Sequence, residues 1–113
     1  MRTTKTALRA FLQSRNIPYC TITKDGNNRH RVIYPDSDIG HWLHLTEIVL
    51  EKENGEKVLR TEGYRTVTTK TAINENLDYN TKLIQRDFEW IVQKYGECGT
   101  LIKETLFQEM MTV

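Results

Sequence analysis

The sequence has few cysteines and no long apolar run, and each absence excludes a class of protein. Cys20 and Cys98 are far apart and fall in no metal-binding spacing, so we expect reduced thiols in a cytosolic chain rather than a disulfide. No apolar run approaches the roughly 18 residues that cross a bilayer, which argues against a membrane partner. Arg9 interrupts the apolar residues near the N-terminus, so we expect no signal peptide and a cytoplasmic location.

Catalytic sequence motifs are missing as well. The chain has no Gly-x-Ser-x-Gly, no His-Glu-x-x-His, no Cys-x-x-Cys and no glycine-rich phosphate loop. His41-x-x-His44 could join the two cysteines as zinc ligands, but on a strand these histidines point to opposite faces. Asp36 and Asp38 lie in a turn-forming run, which favours acids that bond the backbone. We therefore expect no catalytic residues, metal or cofactor, with a small enzyme or metal-binding domain around His41 and His44 as an alternative.

Charge is distributed unevenly along the chain, although the net charge is only +1. Residues 1–34 carry seven bases and one acid, a balance of +6, and residues 35–113 carry nine bases and fourteen acids, a balance of −5. A patch of one sign steers association with the opposite sign, so the asymmetry points to a charged partner. Two alternatives stay open: the halves face each other inside the fold, or the basic half of one copy meets the acidic half of another in a homo-oligomer.

The first third of the chain is predicted to form a helix and a β-hairpin. Leu8, Phe11 and Leu12 follow helical spacing, which predicts an amphipathic helix over residues 4–15. β-Branched and aromatic runs on either side of an Asp-Gly-Asn-Asn centre predict a first hairpin over residues 19–34.

The rest of the chain is predicted to form a second hairpin and then helices. The hairpin covers residues 41–64, with its turn at Asn54-Gly55 and a bulge or bend where the apolar phase shifts between Leu45 and Ile48. The expected helices run from about Thr69 to Leu77, from Asp78 or Asn80 to Tyr95, and from about Thr100 onward. The predicted fold is one α+β domain, 1–113, with a small antiparallel sheet of two hairpins packed against the N-terminal helix and two to three C-terminal helices.

The basic residues of the first third form the main candidate surface for a polyanion or a partner. They lie on the predicted first helix and the first hairpin: Arg2, Lys5, Arg9, Asn27, Asn28, Arg29 and Arg31. Basic helix faces beside amide-rich loops suit phosphates, because Arg and Lys supply charge and Asn supplies hydrogen bonds. We expect these side chains to converge on one accessible surface, and an ordinary solvated helix face is the alternative.

A second candidate surface is apolar. On the predicted long helix, Tyr79, Leu83 and Trp90 project away from the core stripe. The favoured interpretation is that the C-terminal segment, residues 101–111, covers them. If they are exposed instead, Trp and Tyr are residue types that anchor interfaces.

The pentapeptide Thr-Thr-Lys-Thr-Ala occurs at Thr3–Ala7 and again at Thr68–Ala72, and each copy is predicted to begin a helix with a threonine cap. The second copy belongs to the run Tyr64-x-Thr66-x-Thr68-Thr69-x-x-x-Ile73-Asn74-x-x-Leu77. This run resembles a pattern in small phage-encoded domains, in which a short sheet leads into a threonine-capped helix. The resemblance implies a phage or mobile-element accessory protein and carries over no catalytic residue.

Together these observations predict a small non-catalytic accessory protein that binds and modulates or inhibits a host nucleoprotein machine in the host cytoplasm. Anti-CRISPR-like inhibition is one concrete form, and it rests on the resemblance alone. The alternative is a protein that binds DNA or RNA directly through the basic helix and the first hairpin.

Overall fold

The structure, a computed structural model, describes residues 2–17 and 19–113, and within them it contains two helices and nine strands in two antiparallel sheets. In chain order the elements are α1 (Lys5–Ser14), β1 (Thr21–Gly26), β2 (Arg29–Ile33), β3 (Ile39–Leu43), β4 (Thr46–Glu51), β5 (Lys57–Leu59), α2 (Val67–Glu75), β6 (Thr81–Arg86), β7 (Glu89–Tyr95), β8 (Leu101–Leu106) and β9 (Met111–Thr112). The first sheet has the order β1-β2-β3-β4-β5-β9, and the second has the order β6-β7-β8. The chain is therefore mostly β, and the predicted α+β fold with two to three C-terminal helices is wrong.

Helix α1 packs on one face of the first sheet, as its apolar spacing predicts. Thr4 caps the helix by accepting a hydrogen bond from the backbone N–H of Ala7 at 3.1 Å. The apolar side of α1 forms one core with the sheet: Leu8, Leu12, Ile22, Val32 and Trp42 are buried together. The predicted first hairpin is confirmed as β1 and β2.

The predicted second hairpin is three strands rather than two. Leu43 pairs with Thr46, so His44 and Leu45 form a tight turn between β3 and β4. His44 takes a left-handed φ of 53°, which such turns require at a central position. This turn, together with a register shift between His41 and Trp42, accounts for the change of apolar phase between residues 45 and 48.

Helix α2 and the second sheet cover the other face of the first sheet. The main core forms between these layers: Leu43, Ile48, Val49, Leu59, Ala72, Ile73, Leu83, Trp90, Val92 and Phe107. Asn74 ties α2 to the second sheet, because its side chain bonds both the N–H and the C=O of Leu83 on the edge strand β6 at 2.8 Å. A carboxamide thus replaces a neighbouring strand at that edge.

The predicted long helix over residues 78–95 is instead the hairpin β6–β7. Asp87 and Phe88 form its two-residue turn with φ of 51° and 67°, the pair of positive angles that favours tight hairpins. The predicted last helix is likewise the strand β8. No helix among the described residues combines the length and the apolarity that a bilayer crossing requires.

The apolar candidates Tyr79, Leu83 and Trp90 do not form one exposed patch. Leu83 and Trp90 are 2% and 4% exposed in the main core, while Tyr79 is 89% exposed in the turn before β6. Phe107 stacks edge-on against Trp90 at a centroid distance of 5.6 Å, so the C-terminal segment does cover Trp90, although as strand and loop rather than helix. A partner interface built on all three residues is therefore excluded.

The two copies of the pentapeptide sit in different helical registers. In the first copy, Thr4 is the cap of α1. In the second, the cap of α2 is Thr66, whose hydroxyl accepts from the N–H of Thr69 at 3.2 Å, and Thr68–Ala72 lie inside the first turns. The prediction of a capped helix at each copy is confirmed, but Thr68 and Thr69 are not the cap.

Candidate functional site

Most basic residues of the first third of the chain keep an uncompensated charge. Of the seven bases in residues 2–34, only Arg29 pairs with a carboxylate among the described residues, that of Glu75 on α2. The unpaired ones are Arg2, Lys5, Arg9, Arg15, Lys24 and Arg31. The acidic part of the chain therefore does not neutralise the basic part within the described fold.

One group of these cations gathers where α1 begins. Lys24 pairs directly across from His30, and His30 pairs with Trp42, which packs against α1, so Lys24 lies on the α1 side of the sheet. Burial and then the nearby ammonium groups of Lys24 and Lys5 lower the pKa of His30. Arg9 shares the side of α1 that carries Lys5 because the two are four residues apart.

Arg2 is exposed in the segment before α1, and this segment is tied to the first hairpin. The N–H of Thr3 donates to the side chain of Asn28 in the β1–β2 turn at 2.7 Å. We call Lys5, Arg9 and Lys24 the basic flank.

The other basic candidates do not join the basic flank. Arg31 pairs across from His41 and Arg29 across from Leu43, and Leu43 faces the main core, so both arginines lie on the opposite face of the sheet. Asn27 is exposed in the β1–β2 turn, whereas Asn28 holds a left-handed φ of 58° and bonds Thr3. The expected single surface is thus divided between two faces, because β2 projects successive side chains to opposite sides.

The histidines do not form a cluster with other ligands. His41 is buried and its Nε2 lies 3.2 Å from a carboxylate oxygen of Glu51, while His44 is exposed and bonds the Thr3 hydroxyl at 3.1 Å. Within the described ranges, no three residues of the types His, Cys, Asp or Glu come together as metal ligands would. Cys20 is half-buried and Cys98 is exposed, and both are free thiols.

A groove of about 750 Å³ opens on the surface between the two helices. We call it the helix groove. Its lining comes from α1 and the residues that flank it, from the β3–β4 hairpin, from the loop after β5 and from the start of α2: Thr3, Phe11, Arg15, Leu43, His44, Leu45, Thr46, Ile48, Thr61, Glu62, Tyr64, Thr66, Thr68 and Thr69. This volume lies in the range of natural ligand sites, which combine apolar walls with a few polar groups.

Two turns with left-handed residues form the rim of the helix groove. His44 has φ of 53° and bonds Thr3, and Glu62 has φ of 53° and accepts a hydrogen bond from the Thr46 hydroxyl at 3.3 Å. A left-handed φ costs residues other than glycine roughly 1 kcal/mol or more, and such residues are concentrated at binding sites. The rim is therefore held in shape by side-chain hydrogen bonds.

Glu109 fixes the loop on the far side of the helix groove. Its carboxylate accepts from the N–H and hydroxyl of Thr61 at 2.7 and 2.5 Å and from the N–H of Glu62 at 3.0 Å, and Arg65 lies 3.9 Å away. Partial burial acts to raise the pKa of Glu109, but these hydrogen bonds and Arg65 outweigh it and lower the pKa.

Replacing Glu109 by glutamine is expected to destabilise the protein by about 1 kcal/mol at neutral pH, near the low end for charged hydrogen bonds because the carboxylate is partly exposed. Since the folded-state pKa is lowered, this stabilisation is present above the ordinary value of 4.5 and disappears as the pH falls through the folded-state value. Urea denaturation of both proteins from neutral to acid pH measures the difference, with Glu53→Gln on an exposed turn as the control. A difference that stays constant or grows toward acid pH contradicts this role.

Sequence reasoning located part of these surfaces. The sequence predicts Lys5 and Arg9 but not Lys24, although Lys24 lies two residues after the apolar Ile22 on a predicted strand and therefore shares its face, which the structure places beside α1. The helix groove was missed because its walls come from four separate segments. Tyr64 and Thr66 belong to the run of residues 64–77 that resembles phage-encoded domains, and this run was the one sequence signal near the groove.

Comparison with protein-family models, with curated proteins and with solved structures gives no match for this chain.

Proposed function

We propose that this chain is a non-catalytic binding protein that docks on a nucleoprotein assembly through its basic flank. The observation that carries the proposal is the set of unpaired cations at the start of α1 and on β1, which belongs to a chain of net charge +1. A local positive patch on a nearly neutral protein favours an acidic protein surface or a few exposed phosphates over a long polyanion.

The biological setting of the proposal rests on the resemblance to small phage-encoded domains. In that setting the protein is an accessory factor that modulates or inhibits a host machine, and anti-CRISPR-like inhibition is one concrete form. The basic flank would meet an acidic surface of the machine or compete for guide or target phosphates. The chain has too little negative charge to imitate DNA, which would require a strongly acidic surface.

Direct binding of DNA or RNA is the second candidate, and the exposure of Tyr19 favours it. This side chain is 81% exposed just before β1, the strand that carries Lys24, so a base could stack on it. Direct binding predicts affinity that falls steeply with salt, with a slope of about 0.7–0.9 for each phosphate contact.

Reversing two charges of the basic flank is expected to abolish partner capture. The variant Lys5→Glu with Lys24→Glu should lose the assembly from host lysate, whereas Lys52→Glu with Lys103→Glu, which changes the net charge equally at exposed sites, should retain it. Mass spectrometry of captured material, with and without nuclease treatment, identifies what is held. Equal capture by both variants overturns the proposal.

Fluorescence anisotropy separates the two candidates. Labelled single-stranded RNA, single-stranded DNA and duplex DNA are titrated with the chain across a salt series. Tight binding at low salt with a slope that drops by about one for each flank residue removed supports direct nucleic-acid binding. Capture that survives nuclease treatment without such binding supports docking on protein.

A further inference from the structure

The helix groove lies on a different side of α1 from the basic flank. Lys5 and Arg9 share one side of α1 through their i, i+4 spacing, whereas Phe11 and Arg15 share another side and line the groove. The proposed function uses only the first side. The second side therefore has a binding feature that the basic flank does not explain.

The apolar wall of the helix groove is accessible from outside. Leu45 in the β3–β4 turn is 41% exposed, and Tyr64 in the loop after β5 is 65% exposed. Phe11 is half-buried beside them and packs edge-on against Trp42 at 5.9 Å, so this wall is anchored in the core under α1. Large apolar side chains around a concave surface are typical of a site that receives an apolar group.

The uncompensated charge at the helix groove is positive. Arg15 has no ion-pair partner among the described carboxylates, and its guanidinium lies 4.6 Å from the ring centroid of Phe11. Glu62, the acid in the lining, is already engaged by the Thr46 hydroxyl at 3.3 Å and by Arg60 at 3.9 Å. The first turn of α2 adds the positive end of a helix dipole. An occupant that matches this site carries a negative charge beside its apolar group.

The remaining lining suits a peptide better than a polynucleotide. Thr68 is exposed in the lining, and its hydroxyl can donate to and accept from peptide amides, whereas the hydroxyls of the other five threonines are bonded within the protein. A nucleic-acid strand brings a phosphate about every 3.4 Å and needs a track of cations, but the groove offers a single arginine. A peptide can place one apolar side chain against Tyr64 and one carboxylate near Arg15.

We infer that the helix groove binds a linear segment of a partner protein in which an aromatic or branched apolar residue stands next to Asp or Glu. In one respect this deepens the proposed function, since the segment belongs to the assembly that the basic flank contacts. The two sites remain separable by mutation because they use different sides of α1.

Panning a random-peptide display library against the purified chain tests the inference. Enriched peptides should share an aromatic or branched apolar residue beside Asp or Glu. A synthetic consensus peptide should bind at least about tenfold more weakly to Tyr64→Ala and to Arg15→Ala, as for anchors at an interface. Tyr79→Ala is the matched control, because Tyr79 is as freely exposed but lies in the turn before β6, and it should bind with unchanged affinity.

Three outcomes overturn the inference: no enriched peptide, an enriched peptide that binds Tyr64→Ala and Arg15→Ala as well as the unaltered chain, or a consensus rich in Lys and Arg. A fourth is preferential occupation by nucleic acid, seen when an oligouridine shifts the amide resonances of His44 and Tyr64 more than the peptide does. Lys5→Glu with Lys24→Glu should still bind the peptide. If this variant loses capture from lysate but still binds the peptide, the basic flank and the helix groove act as separate binding sites. A failure of the proposed function is then distinguished from a failure of this inference.

Discussion

Replacing Trp90 by alanine is expected to destabilise the protein by about 3–5 kcal/mol, the range for removing a large aromatic side chain from a core. Trp90 is 4% exposed on β7, where it stacks against Phe107 and packs with Leu83 across the second sheet. Its loss leaves a cavity in the core that joins the two sheets, which rigid strands fill only in part. In a protein of marginal stability this is a large fraction of the total.

Urea denaturation measures the effect, and Tyr79→Ala is the matched control. Tyr79 is 89% exposed, so its truncation should change the free energy of unfolding by no more than about 0.5 kcal/mol. A helix over residues 78–95 would place Tyr79 and Trp90 on one patch and predicts comparable losses. Similar values for the two variants would therefore contradict the two-sheet arrangement.

The wrong prediction for residues 78–95 has a physical cause in the symmetry of the β6–β7 hairpin. Ile84 pairs with Ile91 across the two-residue turn. Residues seven apart also lie on one face of a helix, so the same two isoleucines satisfy both periodicities. The turn residues Asp87 and Phe88 include no glycine or asparagine, so the usual hairpin signal is absent.

The parts that were predicted correctly depend on local signals. Helix α1 is predicted from residues close together in sequence, namely the cap Thr4 and the spaced Leu8 and Leu12. The Asn-rich turn likewise predicts the first hairpin. The turn at His44 was missed because neither residue of His44-Leu45 is a usual turn former; the structure supports it through bonds to Thr3 and to the carbonyl of Asn28. These hydrogen bonds involve residues that are distant in sequence, so the residues around His44 could not predict the turn.

The candidate sites also combine features that local sequence predicts with features that depend on tertiary packing. The side of α1 that carries Lys5 and Arg9 follows from helical spacing alone. The separation of Arg31 from them depends on which face of β2 packs against α1, and the pairing of Arg29 with Glu75 depends on where α2 docks. Local sequence can therefore nominate cations for a surface, but tertiary packing decides which of them share it.

Replacing Gly40 by alanine is expected to destabilise the protein by about 2–3 kcal/mol, as overpacking of a filled core does. A Cβ at this position would contact the carboxylate of Glu47 at well under van der Waals distance and would meet the Tyr34 hydroxyl and the Trp42 ring nitrogen, each at 2.9 Å. These groups form a partly buried chain of hydrogen bonds, in which Trp42 donates to Tyr34 at 3.2 Å and Tyr34 donates to Glu47. Burial raises the pKa of Glu47, and the hydrogen bond from Tyr34 acts in the opposite direction.

Gly26→Ala is the matched control, because a Cβ there would find its nearest neighbour, the Cδ of Arg29, at an ordinary 3.6 Å. It should change stability by about 0.5 kcal/mol or less, since neither glycine holds a left-handed φ and the two positions differ only in the space available to a Cβ.

Combining Gly40→Ala with Glu47→Ala provides the decisive comparison. The double variant should be more stable than the sum of the single losses predicts, because removing the carboxylate removes the nearest clash. Additive losses within about 0.5 kcal/mol would show that Gly40 does not make room for the Tyr34–Glu47 pair.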